Sequence, residues 1–160
     1  MRNKLRTWRE ISAIREELVS DDKKAVFTNG CFDILHRGHV QYLQAARELG
    51  DVLIVGLNND DSVRRLKGVN RPVNSEIDRA IVLSALQDVD HVVIFTEDTP
   101  YKLINTVKPD ILVKGGDWKP EDIVGSDIVL QSGGEVLSLD FIKGYSTTKT
   151  IEEMEKKYCK

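Results

Sequence analysis

Cysteine is scarce in this chain: 160 residues contain two, Cys31 and Cys159. That excludes a disulfide framework and suits a reducing compartment. Aromatic residues make up only 6%. No apolar run approaches the ~20 residues a membrane helix needs, and the N-terminus (Arg2, Lys4, Arg6, Arg9, Glu10) lacks the apolar core of a signal peptide. A basic surplus is also missing. The net charge is −3 and the pI about 5.7, which argues against a broad nucleic-acid surface but leaves room for a local phosphate pocket. Neither G-x-x-x-x-G-K-[ST] nor G-x-G-x-x-G after a strand occurs, so the P-loop and dinucleotide readings lose their main support. The remaining composition is ordinary, 41% hydrophobic and 31% charged, and the chain is long enough to bury a core without staples. The expectation is one cytoplasmic domain over residues 1–160, an N-terminal helix in 1–20 and a core in 21–160, with no nucleic-acid or membrane partner.

What the chain does contain centres on Val26 to His39, V-F-T-N-G-C-F-D-I-L-H-R-G-H. A short apolar strand breaks at Asn29-Gly30. Two histidines, His36 and His39, follow just before a helical pattern marked by Val40, Leu43, Ala46 and Leu49. Gly30 and Gly38 let backbone or ligand come close. A helix start offers unpaired N–H groups and the positive end of the dipole, so the histidines sit at a ready anion site. Two imidazoles aimed there point to a phosphate whose charge changes in a reaction.

Along the chain, Leu5, Trp8, Ile11, Ile14 and Leu18 predict an amphipathic helix over 3–19, packing on the domain edge or on a second subunit. Strands are predicted at Ala25–Thr28, Val52–Leu57, His91–Phe95, Ile111–Val113 and Glu135–Leu139. Helices are predicted at Gly38–Leu49, stopped by Gly50, and at about Ser75 to Leu86, with Ile77, Ala80, Ile81 and Ser84 on one face. Thr99-Pro100 opens another helix to about Val107. Weaker turns lie near Glu121–Val124 and Asp127–Gln131, and a last helix follows Lys149. The alternation predicts an α/β, Rossmann-like, doubly wound sheet of about five parallel strands with helices on both faces. Ligands bind such sheets beyond the carboxyl ends of the strands. The loops 29–39, 58–67, 115–118 and 143–149 all follow strands and can share one crevice.

Each motif has a plainer reading. His36 and His39 can be weighed as metal ligands with Cys31, but the third histidine, His91, starts a strand and Cys159 is terminal, so a closed four-ligand zinc site is hard to assemble. Ser146-Thr147-Thr148-Lys149 reads as an N-cap, a role compatible with a phosphate site. Gly115-Gly116-Asp117-Trp118 reads equally as a plain turn or as a seat for a nucleobase or ribose. Arg64, Arg65 and Lys67 form a solvated run in which Lys67, next to Gly68, is the best ligand candidate. Cys31 reads as a packing residue and Asn58–Asp61 as a helix cap.

T-N-G-C-F-D-I-L-H-R-G-H resembles the H-x-G-H signature of the nucleotidyltransferase superfamily related to class I aminoacyl-tRNA synthetases, and G-Y-S-T-T-K at Gly144–Lys149 is similar to its second signature. With L-I-V-G-L-N-N-D-D-S-V-R-R-L-K-G, R-P-V-N, V-D-H-V-V-I-F-T-E-D-T-P and K-P-D-I-L-V-K-G-G-D-W, the pattern looks like the adenylyltransferases of ADP-heptose synthesis, stand-alone or as the C-terminal part of a bifunctional kinase/adenylyltransferase. Cytidylyltransferases of glycerol 3-phosphate carry Arg-Thr-Glu-Gly-Ile-Ser-Thr-Thr at the second signature. Here Phe141-Ile142-Lys143-Gly144-Tyr145-Ser146 stands instead, without the arginine, which weakens a cytidylyltransferase reading.

The resemblance implies that ATP and D-glycero-β-D-manno-heptose 1-phosphate give ADP-heptose and pyrophosphate, with Mg²⁺ held mainly through the ATP phosphates and its protein ligands unknown. It implies His36 and His39 at the α/β-phosphates and Thr28, Asn29 and Gly30 along the nucleotide, with Gly38 between the histidines. Ser146, Thr147, Thr148 and Lys149 fall to the β/γ-phosphates, and Gly116, Asp117 and Trp118 to base and ribose. Lys67 falls to the sugar phosphate, and Asp33 to the substrate side as support near the phosphates. A separate heptose kinase upstream, a homodimer and a place in lipopolysaccharide core synthesis are further expectations. The alternatives are a cytidylyltransferase acting on a small phosphorylated alcohol and a non-catalytic nucleotide sensor.

Overall fold

The apolar runs become the strands of one parallel sheet. The computed structural model describes residues 4–140 and 144–158, so Phe141, Ile142, Lys143 and Cys159 lie outside the described residues. Strands β1 (Leu5–Arg6), β2 (Ala25–Gly30), β3 (Val52–Asn58), β4 (His91–Phe95), β5 (Ile111–Gly115) and β6 (Glu135–Leu139) form six-stranded order β1-β4-β3-β2-β5-β6. All neighbouring pairs are parallel, with Ala25 opposite Val52 and Val26 opposite Ile111. The helices are α1 (Trp8–Ser20), α2 (Arg37–Arg47), α3 (Asp60–Lys67), α4 (Glu76–Ser84), α5 (Tyr101–Val107), α6 (Ser126–Gln131) and α7 (Thr147–Tyr158), with a 3₁₀ turn at Pro120–Asp122.

Central strands buried on both faces need apolar residues of both parities. One face packs Phe27, Ile54, Val93 and Leu112 against α1, α5 and α6 through Ile11, Leu103, Ile104 and Val129. The other packs Val26, Leu53, Val55, Val92 and Val113 against α2 and α4 through Tyr42, Leu43, Ala80 and Leu83. From β2 the chain proceeds to β3 and β4 on one side, then crosses to β5 and β6 on the other. The loops leaving β2 and β5 therefore diverge and open a crevice at the carboxyl ends.

Several expectations change. The sheet has six strands rather than about five, because Leu5–Arg6 pairs with β4 as an edge strand instead of starting the first helix. Thr7 stops that strand and caps α1 through a capping box with Glu10. The predicted stripe works inside the chain: Ile11 and Leu18 are buried, and Trp8 and Ile14 pack on the same cluster. A homodimer would need another surface. On α4, Ile77 and Ile81 face outward while Arg79, Ala80, Leu83 and Ser84 are buried. Helix α2 ends at Arg47 with Glu48 as C-cap. Gly50 serves close packing instead, since a Cβ there would lie 2.7 Å from Val26 Cγ2. Asn59 caps α3 by accepting from the Ser62 N–H, as expected of that stretch. Lys67 is the last residue of α3, not one beyond it.

Candidate active site

Beyond Gly30 the backbone turns sharply. Phe32 is left-handed at φ 45°, and a Cβ at Gly30 would lie 2.9 Å from its ring. The turn buries Asp33 and sends the chain to His36, the extended N-cap of α2, whose side chain makes no capping bond. The His36 and His39 rings stack at 3.9 Å between centroids and 17° between planes, with Phe32 5.2 Å from His39. Each ring buries an Nδ1 that has no hydrogen-bond partner among the described residues. Burial lowers both histidines; for His39, burial and then the neighbouring His36 push it down to about 4. Both rings are therefore neutral near pH 7.

The second signature meets the first. Ser146 caps α7, its Oγ accepting from the Lys149 N–H at 3.0 Å while its carbonyl accepts from the Thr150 N–H. The Thr147 hydroxyl donates to the Ile34 carbonyl, 113 positions away in the chain, at 3.1 Å. The Tyr145 ring lies 6.2 Å from His36. Gly38 makes this closeness possible: a Cβ there would be 3.1 Å from the His36 ring and 3.2 Å from Tyr145 Cβ. Two helix N-termini, α2 and α7, thus flank the stacked imidazoles.

Other candidates are placed differently. Thr28 is fully buried, and its hydroxyl pairs with the Tyr42 hydroxyl at 2.6 Å, so its side chain belongs to the core. Asn29 and Gly30 end β2 at the crevice, both partly exposed. Asp33 accepts from the Val73 and Asn74 N–H groups and from Arg71 Nε at 2.7 Å, with no exposed carboxylate. It anchors loop 71–74. These hydrogen bonds hold its carboxyl below the usual range, against the opposing effect of burial. Gly116, Asp117 and Trp118 follow β5 across the crevice. Gly116 takes φ 114°, Asp117 is exposed, and Trp118 Nε1 donates to the Gly115 carbonyl, leaving the indole half exposed. Thr148, Lys149 and Lys67 are at least partly exposed.

The sequence reading missed two cations. Arg79 is fully buried and donates to the carbonyls of Asn74 and Cys31 and to Asp60. Lys114 is half-buried at the end of β5. A lone charge closing the run I-L-V-K was a signal for Lys114. Arg79 had none, because an arginine between Ser75 and Leu83, its neighbours four residues away, reads by type as a solvated charge. Among the described residues no cluster of three His, Cys, Asp or Glu side chains is arranged to hold a metal. Mg²⁺ favours oxygen donors; at the crevice the Asp33 carboxylate is engaged, and Asp117 stands exposed and belongs to no such cluster. The described residues offer no cluster of carboxylates for a protein-held Mg²⁺. No described helix is long and apolar enough to cross a membrane.

The chain is similar to known proteins along most of its length. The bifunctional protein HldE of Nitratiruptor sp. is 59% identical over 150 residues, which are 94% of this chain and 32% of that protein. HldE of Campylobacter concisus is 61% identical over 142 residues, 88% of this chain and 29% of that one. The chain thus spans about a third of the length of these curated relatives. A crystal structure of a lipopolysaccharide core biosynthesis protein from Thermoplasma volcanium superposes with TM-score 0.62 at 33% identity, covering 78% of this chain and 99% of that one. A pantoate-beta-alanine ligase from Francisella tularensis shares the fold at TM-score 0.62 and 18% identity, over 98% of this chain and 78% of that one. The cytidylyltransferase-like family model matches residues 27–153, a span that starts in β2, includes both histidines and ends in α7. By that match the chain belongs to the cytidylyltransferase-like family.

Proposed function

We propose that this chain transfers the adenylyl group of ATP to D-glycero-β-D-manno-heptose 1-phosphate, releasing pyrophosphate. The observation that carries the reading is the stacked, neutral His36–His39 pair between the starts of α2 and α7. The sugar-phosphate oxygen forms a bond to the α-phosphorus, and the bond from that phosphorus to the bridging α–β oxygen breaks in line. His36 and His39 donate from Nε2 to α/β-phosphate oxygens, stabilising charge that moves toward the leaving pyrophosphate. Ser146, Thr147, Thr148 and Lys149 receive the β/γ-phosphates at the α7 start, where N–H groups lack helical acceptors. Asn29 and Gly30 border the nucleotide, and Gly116, Asp117 and Trp118 border ribose and base. Lys67 attracts the sugar phosphate. Positioning and charge supply the rate, so no covalent enzyme intermediate is required.

Adenosine and heptose as the two groups joined are supported by the sequence resemblance, by the HldE relatives and by the lipopolysaccharide core biosynthesis protein of similar structure. The reaction that supplies this substrate is phosphorylation of the sugar at its anomeric oxygen. The family description itself favours one second reading, cytidylyl transfer to a small phosphorylated alcohol. Pyrophosphate release measured with ATP and with CTP, against heptose 1-phosphate and glycerol 3-phosphate, decides between them. Turnover is expected with ATP and the heptose. Turnover only with CTP overturns the adenylyl reading, and nucleotide binding without any turnover points to a sensor.

A further inference from the structure

Lys114 has no part in the chemistry above, and its side chain makes no hydrogen bond or ion pair among the described residues. Its Cα lies opposite Ser138 of β6. Leu112, two residues earlier, packs with Phe27 on the α1/α5 face, so strand alternation turns Lys114 toward that side of the sheet's carboxyl end. The histidines stand on α2, which covers the other face. Four cations act on Cys31: Lys67, Arg79, Arg71 and Lys114. Asp33 neutralises Arg71 and Asp60 neutralises Arg79. Lys67 and Lys114 have no such partner among the described residues. Burial disfavours the charged Lys114 ammonium most, the neighbouring Cys31 sulfur opposes that, and Lys67 adds to it. Lys67 is exposed, but an unpaired cation at the half-buried Lys114 is costly unless an anion joins it. The surplus of two charges matches a phosphate monoester, which carries about −1.5 to −2 at pH 7.

We propose that Lys114 joins Lys67 as the acceptor subsite, holding the 1-phosphate of the attacking sugar. The inference rests on the adenylyl-transfer reading. The incoming dianion has to approach the α-phosphorus opposite the leaving pyrophosphate, and cations on that side both align it and offset its repulsion from ATP.

Lys114→Met keeps the side-chain length and removes the charge. In pyrophosphate-release assays its KM for heptose 1-phosphate should rise about tenfold or more, the effect of losing one charge-assisted hydrogen bond, while its KM for ATP stays within about twofold. Thermal unfolding should stay level or rise, since an uncompensated cation has gone; if Lys114→Met does not fold, Lys114→Gln takes its place. Unchanged KM values, an equal rise in both, or a rise for ATP alone overturns the assignment. Should the wild-type chain turn over no heptose 1-phosphate, calorimetric titration of that sugar phosphate without nucleotide separates the two ideas. Binding by the wild type that is lost in the variant keeps the subsite and removes adenylyl transfer; equal binding by both, or by neither, removes the subsite.

Discussion

His39 lies between the Phe32 and His36 rings, and both its place and its charge follow from burial. A neutral imidazole donates to a phosphate oxygen without adding a charge that pyrophosphate would have to leave behind. Its folded value of about 4 lies below the ordinary 6.5, so on acidification the unfolded chain takes up the proton first. The associated stability is complete above 6.5 and is lost as pH falls toward 4. His36 and His91 are also lowered, chiefly by burial, and act in the same direction. Urea unfolding at pH 7 and at pH 5 should therefore show a falling midpoint. For His39→Asn the fall should be smaller, because one of three such histidines is gone. The same variant should lose about 10²–10³-fold in kcat, as expected for one transition-state donor. At this scale the histidines and the Ser146 cap were legible from residue order, since helix starts depend on local chemistry. Thr28 and Asp33 were not. Their directions depend on Tyr42 and on loop 71–74, partners that only folding brings near.

The helices that shape the crevice depend on one buried fork. Arg79 on α4 binds Asp60 on α3 at 2.8 Å and the carbonyl of Cys31 in the loop leaving β2, tying three segments together. The Arg79 side chain is fully buried and that of Asp60 is 23% exposed. Arg79→Ala would leave a carboxylate and two carbonyls without a donor, and should cost about 3–5 kcal/mol. Urea titration should show this as a lower midpoint at unchanged slope. Arg79→Lys keeps the charge but not the planar fork, and should cost less. The α4 outcome also explains why its predicted face rotated. Arg79 needs the interior for its three acceptors, so Ile77 and Ile81 are left in solvent. Periodicity ranks apolar residues inward and has no means of foreseeing that an arginine will be satisfied there.

Across the molecule the two ends of the sheet do different work. At the amino ends, Asp110 accepts from the Ala25 N–H and from Arg15 Nη2, each at 2.8 Å, and both Arg15 and Asp110 line a concavity there. At the carboxyl ends, the imidazoles, Lys67 and Lys114 lack such partners among the described residues. Stability is graded as well. Strands β2 and β3 are almost wholly buried, whereas α7 buries no residue and is tied to the crevice wall through Thr147. Amide hydrogen exchange should be slowest in β2 and β3 and fastest in α7. Adding Mg-ATP should slow exchange at the first turn of α7. No change there would remove α7 from triphosphate binding.

The parallel α/β arrangement, five of the strands, the caps at Asn59, Ser75 and Ser146 and the pairing of His36 with His39 were all determined by local order in the sequence. Burial on both faces and unpaired helix termini impose recognisable patterns on neighbouring residues. Only the tertiary structure decided that Leu5–Arg6 would extend the sheet, that Asp33 would serve a distant loop, and that Lys114 would stand half-buried with no ion-pair partner among the described residues. Those outcomes depend on segments far apart in the chain, and the surplus or deficit of charge at a site exists only once such segments have met.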